Sequence, residues 1–336
     1  MKENIKKLLE SAASADEKRA LPILSFPAAQ RLGVTVEALC KDAELQARAI
    51  ETIAGSTATI AAISLMDLSV EAEAFGAEVR FAPDEVPAIT GTLVTCEAEA
   101  DALCVPTLDA GRAGVCIEGI RLASERIKDK PVLAGIIGPF SLAGRLMDVT
   151  EIMYLCFDEP ETVEKVLEKA TEYLISYATA FKNVGASGIV MAEPLAGIMS
   201  PAMAEEFSVP YVKKIIDAVQ DDDFAVIYHN CGNAVLGMLD GILSQGAAAY
   251  HFGNAVDMAE VLEKAPSDII CMGNIDPVAQ FADGTPEGMR DAVNALLDKC
   301  GNKPNFVISS GCDIPHHASW ANINAFFDAV EAWHRG

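Results

Sequence analysis

Eight short apolar runs alternate with long helical patterns along this chain, and that alternation limits the folds open to it more than any other feature. The runs are ALPILSF (20–26), TIAAISLM (59–66), VLAGIIG (132–138), SGIVMAE (187–193), FAVIYHN (224–230), AAAYHFG (247–253), DIICMGN (268–274) and NFVISSG (305–311). Helical patterns cover 34–53, 160–183, 202–219, 234–244, 256–264, 286–299 and 319–333. Near-continuous Ala, Val, Ile and Leu in the runs suits parallel strands buried on both faces, and only 6% of residues are aromatic. Strand–helix alternation repeated eight times predicts an α/β fold, a (β/α)8 TIM barrel ahead of an open doubly wound sheet.

One spacing favours the barrel. Gly-Asn recurs at 232–233, 253–254 and 273–274, each time just after a run, at intervals of 21 and 20 residues. That interval fits one strand-plus-helix unit. Glycine there is expected to allow a tight turn, and asparagine to cap the next helix. Successive strands that end alike put their C-terminal ends on one rim, where barrels carry their chemistry.

The second and third runs are separated by 67–131. There VEAEAFGAEVRF predicts a helix and an extra strand, and LDAGRAGVCIEGIRLASERI a long helix. An interruption this long is expected to cap the barrel mouth together with the amino-terminal helix, MKENIKKLLESAASADEKRA. No linker is visible, so 1–336 reads as a single domain.

Charge and cysteine usage exclude several partners. Lys+Arg is 25 against Asp+Glu 49, a net charge of −24, which argues against nucleic acid and anionic membranes. The amino terminus lacks the apolar core of a signal peptide, and no stretch reaches the ~20 apolar residues of a membrane span. Nine scattered cysteines with no CxxC pair fit a reducing cytoplasm, most thiols serving as small core residues.

Polar and metal-binding types gather at the run ends. Asp67 follows the second run, Glu193 ends the fourth, His229 and Cys231 end the fifth, His251 lies in the sixth, Asn274 and Asp276 end the seventh, and Cys312 follows the eighth. Residues two apart on an extended chain point the same way, so His229 and Cys231 share a face. With Cys312 they would form a Cys2His zinc set with one open position, the pattern of a working rather than a structural zinc. Each residue also has a plain structural reading. H-x-C pairs usually bind nothing, and Cys312 could be a packed thiol. His251 could be a hydrogen-bonded core histidine and Cys271 a core thiol. Glu193 and Asp276, each followed by proline, could cap helices. His316 and His317 read as solvent-exposed, and Asp221–Asp223 as a solvated turn.

In order, HNCGNA, GNIDP and SGCDIP resemble the uroporphyrinogen decarboxylase superfamily, and more closely its cobalamin-dependent methyltransferase branch, which includes methylcobalamin:coenzyme M methyltransferases. GPFSLAGRL (138–146), AEPLAGIMSP (192–201) and DLSVEAEAFGAEV (67–79) extend the resemblance over nearly the whole chain. It implies a barrel and a zinc ion held by His229, Cys231 and Cys312. It also implies methyl transfer between a corrinoid on a partner protein and a small molecule, either a thiol such as coenzyme M or a methylated ether or amine. In that reading Glu193 and Asp276 are the catalytic candidates, either one able to fill the fourth metal position at rest. Asp67, His251 and Asn274 are the candidate substrate contacts. Uroporphyrinogen decarboxylation is the alternative, but that family's arginine-rich loop after the first strand is LPILSFPAAQRLG here, with Arg31 its only cation. Clamping many carboxylates needs more arginine than that. A metal-dependent hydrolase would want His-x-His on the first strand, which ALPILSF lacks, and a non-enzymatic barrel would bind no metal and tolerate Cys312→Ser.

Overall fold

Alternation of side chains along each strand splits the apolar residues of this protein into two cores. The computed structural model describes residues 4–334, so the first three and last two residues of the expected domain lie outside the described residues. Strands β1 (Ala62–Ile63), β2 (Glu78–Ala82), β3 (Glu85–Thr90), β4 (Val132–Ile137), β5 (Gly188–Ala192), β6 (Ala225–Asn230), β7 (Ala249–Phe252), β8 (Cys271–Ile275) and β9 (Phe306–Ser310) form two sheets. The large one is parallel throughout, in the order β1-β4-β5-β6-β7-β8-β9. Along β6, Ala225 and Ile227 join an inner cluster with Leu133, Val190, Ala249, Met272 and Val307. The intervening Val226 and Tyr228 join an outer cluster with the surrounding helices.

The run 20–26, expected as the first strand, makes only an isolated parallel bridge, Ala20 to Ile308. It lies between the two edge strands: Leu21 N donates to Ile308 O, and Ile60 N donates to Ala20 O, each at 3.1 Å. Pro22 has no N–H to give, and Ile23 N donates to the Ser310 hydroxyl instead of a backbone carbonyl, so no regular ladder forms.

The amino-terminal helix corrects a second expectation. Ile5–Ser14 buries Ile5, Leu8, Leu9, Ala12 and Ala13 in the inner cluster, beside residues that open strands, such as Ala225 and Ile270. Asn4 Nδ2 donates to Asp222 O in the turn before β6. The helix therefore plugs the end where the strands begin, away from the rim. In 67–131 the predicted helix and strand appear as Val70–Ala74 and β2, but β2 pairs antiparallel with β3 in a hairpin the sequence did not suggest. The predicted long helix is Ala113–Arg126, which packs on Ala43–Ser56 as part of the outer layer. Asp42 breaks the pattern expected as one helix over 34–53 into Val36–Lys41 and Ala43–Ser56, and its carboxylate caps the second.

Candidate metal centre

The inward parity of β6 continues through Ala225, Ile227 and His229 to Cys231, one residue past the strand end. Cys312 arrives from the loop after β9. The ligand atoms of His229, Cys231 and Cys312 all lie within 4.8 Å of one another, and Cys312 Sγ is 3.5 Å from His229 Nε2. Zinc bonds of about 2.0–2.3 Å in a tetrahedron separate ligand atoms by roughly 3.3–3.8 Å, so the residues fit such an ion. Each thiol biases the other: the Cys312 S–H lowers the pKa of Cys231, whereas Cys231 and burial raise that of Cys312.

A hydrogen-bond chain fixes the imidazole behind the ligand. Ser309 Oγ donates to Leu21 O at 2.7 Å, so it accepts from His251 Nε2, also at 2.7 Å. Burial, and secondly His229, push the His251 imidazole well below the usual histidine range, so it is neutral and its Nδ1 carries a lone pair. His229 Nδ1–H donates to that lone pair at 2.8 Å, which turns His229 Nε2 toward Cys312. His251 is thus a partner of His229, and its ring nitrogens are both committed.

The other predicted residues stand away from this cluster. Glu193 is fully buried on the opposite strand parity, and its carboxylate accepts from Phe140 N at 3.1 Å and Ser141 N at 2.6 Å. It caps the amino end of Pro139–Met147, a helix belonging to the neighbouring strand. Burial pushes its carboxyl up to about 7, against those hydrogen bonds. Asp276 accepts from Val278 N and Ala279 N, each at 2.8 Å, and takes Asn254 Nδ2 on its other oxygen. Asn274 donates to the carbonyls of Gly253 and Val256. Asp67 is locked in a buried ion pair with Arg112, which Ser69 and Glu73 extend.

The Gly-Asn doublets serve close approach rather than turns. Of their three glycines only Gly273 has a positive φ, 149°. A Cβ on Gly232 would lie 2.2 Å from Gly197 O, and one on Gly253 2.6 Å from Cys231 Cα. None of the three asparagines caps the following helix; Asp257 and Asp276 cap two of those helices.

His229, Cys231 and Cys312 face an almost wholly apolar pocket of ≈180 Å³, completed by Ile23, Met66, Leu68, Ala192, Pro194 and Asp313. The sequence reading missed Ser309 and Asp313, although both flank Cys312 in SSGCDIP. Among the described residues no helix is long and apolar enough to cross a membrane.

The family model for uroporphyrinogen decarboxylase matches residues 19–333. A methylcobamide:CoM methyltransferase of Methanosarcina acetivorans is 29% identical over 79% of this chain and 77% of its own. A uroporphyrinogen decarboxylase of Psychromonas ingrahamii is 26% identical over 80% and 78%. A solved methyltransferase structure from Methanosarcina mazei superposes with a TM-score of 0.86 over 98% of both chains at 23% identity, which supports the fold.

Proposed function

The chain belongs to the uroporphyrinogen decarboxylase family of enzymes, and from that premise we propose that it moves a methyl group between a corrinoid held by a separate protein and a small molecule, with zinc at His229, Cys231 and Cys312. The acceptor or donor is a small thiol, such as coenzyme M, or a methylated ether or amine. The observation that carries this reading is the convergence of one imidazole nitrogen and two sulfurs on the wall of an apolar pocket, in a chain similar to a methylcobamide:CoM methyltransferase. Within the same proposal, 20–26 is the eighth stave of a closed (β/α)8 barrel forming one domain, 67–112 shields one side of its mouth, and the protein works in the cytoplasm.

Bound there, zinc would supply a Lewis acid that makes a small thiol a better nucleophile or a methylated donor atom a better leaving group. Three protein donors leave room for one substrate atom. The chain's own part is to hold the donors and exclude water. Ser309 and His251 keep the His229 Nε2 lone pair exposed to the site. Ile23, Met66, Leu68, Ala192 and Pro194 surround the reacting atoms with apolar surface, which strengthens local electrostatics and lines up small partners. Glu193 and Asp276 act as helix caps in this reading rather than as catalytic groups. Asp67 and Asn274 act as structural ties rather than substrate contacts.

Tetrapyrrole decarboxylation has less support. Arg31 stacks on Trp320 at 3.7 Å and bonds Ser56, and none of the residues lining the pocket is lysine or arginine. The ≈180 Å³ pocket is also smaller than the roughly 300–1,000 Å³ of ordinary ligand sites. Elemental analysis should find about one zinc per chain, lost in Cys312→Ser, together with demethylation of methylcobalamin by small thiols. Metal-free protein that turns over uroporphyrinogen would overturn the proposal.

A further inference from the structure

The thiol that follows β6 has a polar support on the outward side of that strand. Asn230 stands between His229 and Cys231, is completely buried, and belongs neither to the metal set nor to the pocket wall. Its side-chain oxygen accepts from Gly232 N at 3.0 Å, which bends the chain directly after the strand and brackets Cys231 within one turn. A backbone N–H can only donate, so the atom facing Gly232 is Oδ1, and the atom 3.1 Å from the Tyr228 hydroxyl is Nδ2. Tyr228 Oη therefore accepts from the amide and keeps its own proton for Ser208 or Gln245, the buried polar groups beside it. Gly197 confines the amide from another side: a Cβ there would lie 2.3 Å from Asn230 Oδ1 and 2.5 Å from Gly232 Cα.

We propose that Asn230 is a positioning residue for Cys231: its amide, held by Tyr228, fixes the turn that aims the thiol at the metal position. The inference rests on the zinc reading above and extends it to a residue that touches neither the ion nor the substrate. Without Oδ1, the Gly232 N–H loses its acceptor. Gly197 O, pressed against Gly232, already accepts from Ala234 N at 3.2 Å. An unpaired donor in a tightly packed loop is costly, so the turn re-forms and carries Cys231 with it. His229 keeps its place, because its support runs through His251 on β7. The two metal candidates that β6 supplies are thus oriented by separate hydrogen-bond chains, one on each side of the strand.

Zinc affinity by chelator competition, with zinc-edge absorption counting the sulfurs around the ion, tests this on the full chain. Asn230→Ala should bind zinc ~10-fold or more weakly, with fewer than two protein sulfurs on the ion. Asn230→Asp keeps an oxygen facing Gly232 N, so it should bind within ~3-fold of the native chain and keep both sulfurs, although its buried carboxyl lowers the melting temperature. A residue that served packing alone would move the melting temperature and leave the metal unchanged. Tyr228→Phe, which frees the amide to swing, should lose ~3-fold or more and carries the test if Asn230→Ala does not fold. Two outcomes overturn the inference and leave the zinc reading standing. One is native affinity with both sulfurs in folded Asn230→Ala, or in Tyr228→Phe where the alanine variant does not fold. The other is Asn230→Asp binding as weakly as the alanine variant. If the native chain takes up no zinc, the zinc reading fails and the inference falls with it.

Discussion

His251 spends both ring nitrogens on neighbours, and this makes it decisive for a residue it only touches. Its Nδ1 receives the His229 proton and its Nε2 donates to Ser309. Removing it leaves the His229 N–H without its buried acceptor and frees the ring to turn. Groups that orient a metal ligand typically contribute 10–100-fold to affinity. His251→Ala should therefore weaken zinc binding by about 10–100-fold in a chelator competition, with the overall fold intact by circular dichroism. Unchanged affinity would show that the chain of hydrogen bonds does not orient the ligand. Asp67 shows the opposite outcome for a rim residue: Arg112 and Ser69 consume the carboxylate, so a strand-end position by itself says little about chemistry.

Elements meet at the glycines. The loop after β6 carries Cys231 and passes so close to the loop after β7 that a Cβ at Gly253 would sit 2.6 Å from Cys231 Cα and 2.7 Å from its Cβ. Backbone cannot give way there as a flexible side chain would, and overpacking of this kind costs about 1–3 kcal/mol. Gly253→Ala should displace Cys231 and lower zinc affinity by roughly 10-fold or more. Gly237→Ala serves as the control, since nothing lies within 4 Å of a Cβ there. Equal zinc affinity in the two variants would mean that the contact does not position the ligand. The doublets were visible in the sequence as a period, but their purpose was not. A repeat reveals that equivalent positions exist, whereas the backbone that approaches each one comes from a different strand unit.

Across the whole molecule, buried carboxyls tie stability to pH. Glu71 and Glu193 are both buried, and desolvation pushes each up to about 7 from the usual 4.5. The folded chain then holds these protons more tightly than the unfolded chain. Their stabilising contribution is complete below about 4.5 and is lost as pH rises through about 7, up to ~3 kcal/mol for each. Glu71 Oε2 has no hydrogen-bond partner in that buried setting. Urea unfolding should show Glu71→Gln losing less stability than the native chain between pH 5 and pH 8. A slope identical to that of the native chain would remove Glu71 from the account.

Sequence alone determined what local chemistry determines. Apolar runs with period-two side chains placed His229 and Cys231 on one inward face, and the order of runs gave seven of the eight expected strands, since each depends on residues within a few positions. Tertiary structure decided which side chains meet across the molecule. It gave Glu193 to a helix of the neighbouring unit, Asp67 to Arg112, the amino-terminal helix to the floor of the sheet, and Ser309 and His251 to the ligand imidazole. It also left the 20–26 run without a ladder, because Pro22 lacks a donor and the Ser310 hydroxyl takes Ile23 N. These pairings join residues tens to hundreds of positions apart. Their partners are chosen by the packing of whole strands and helices, which no window of sequence contains.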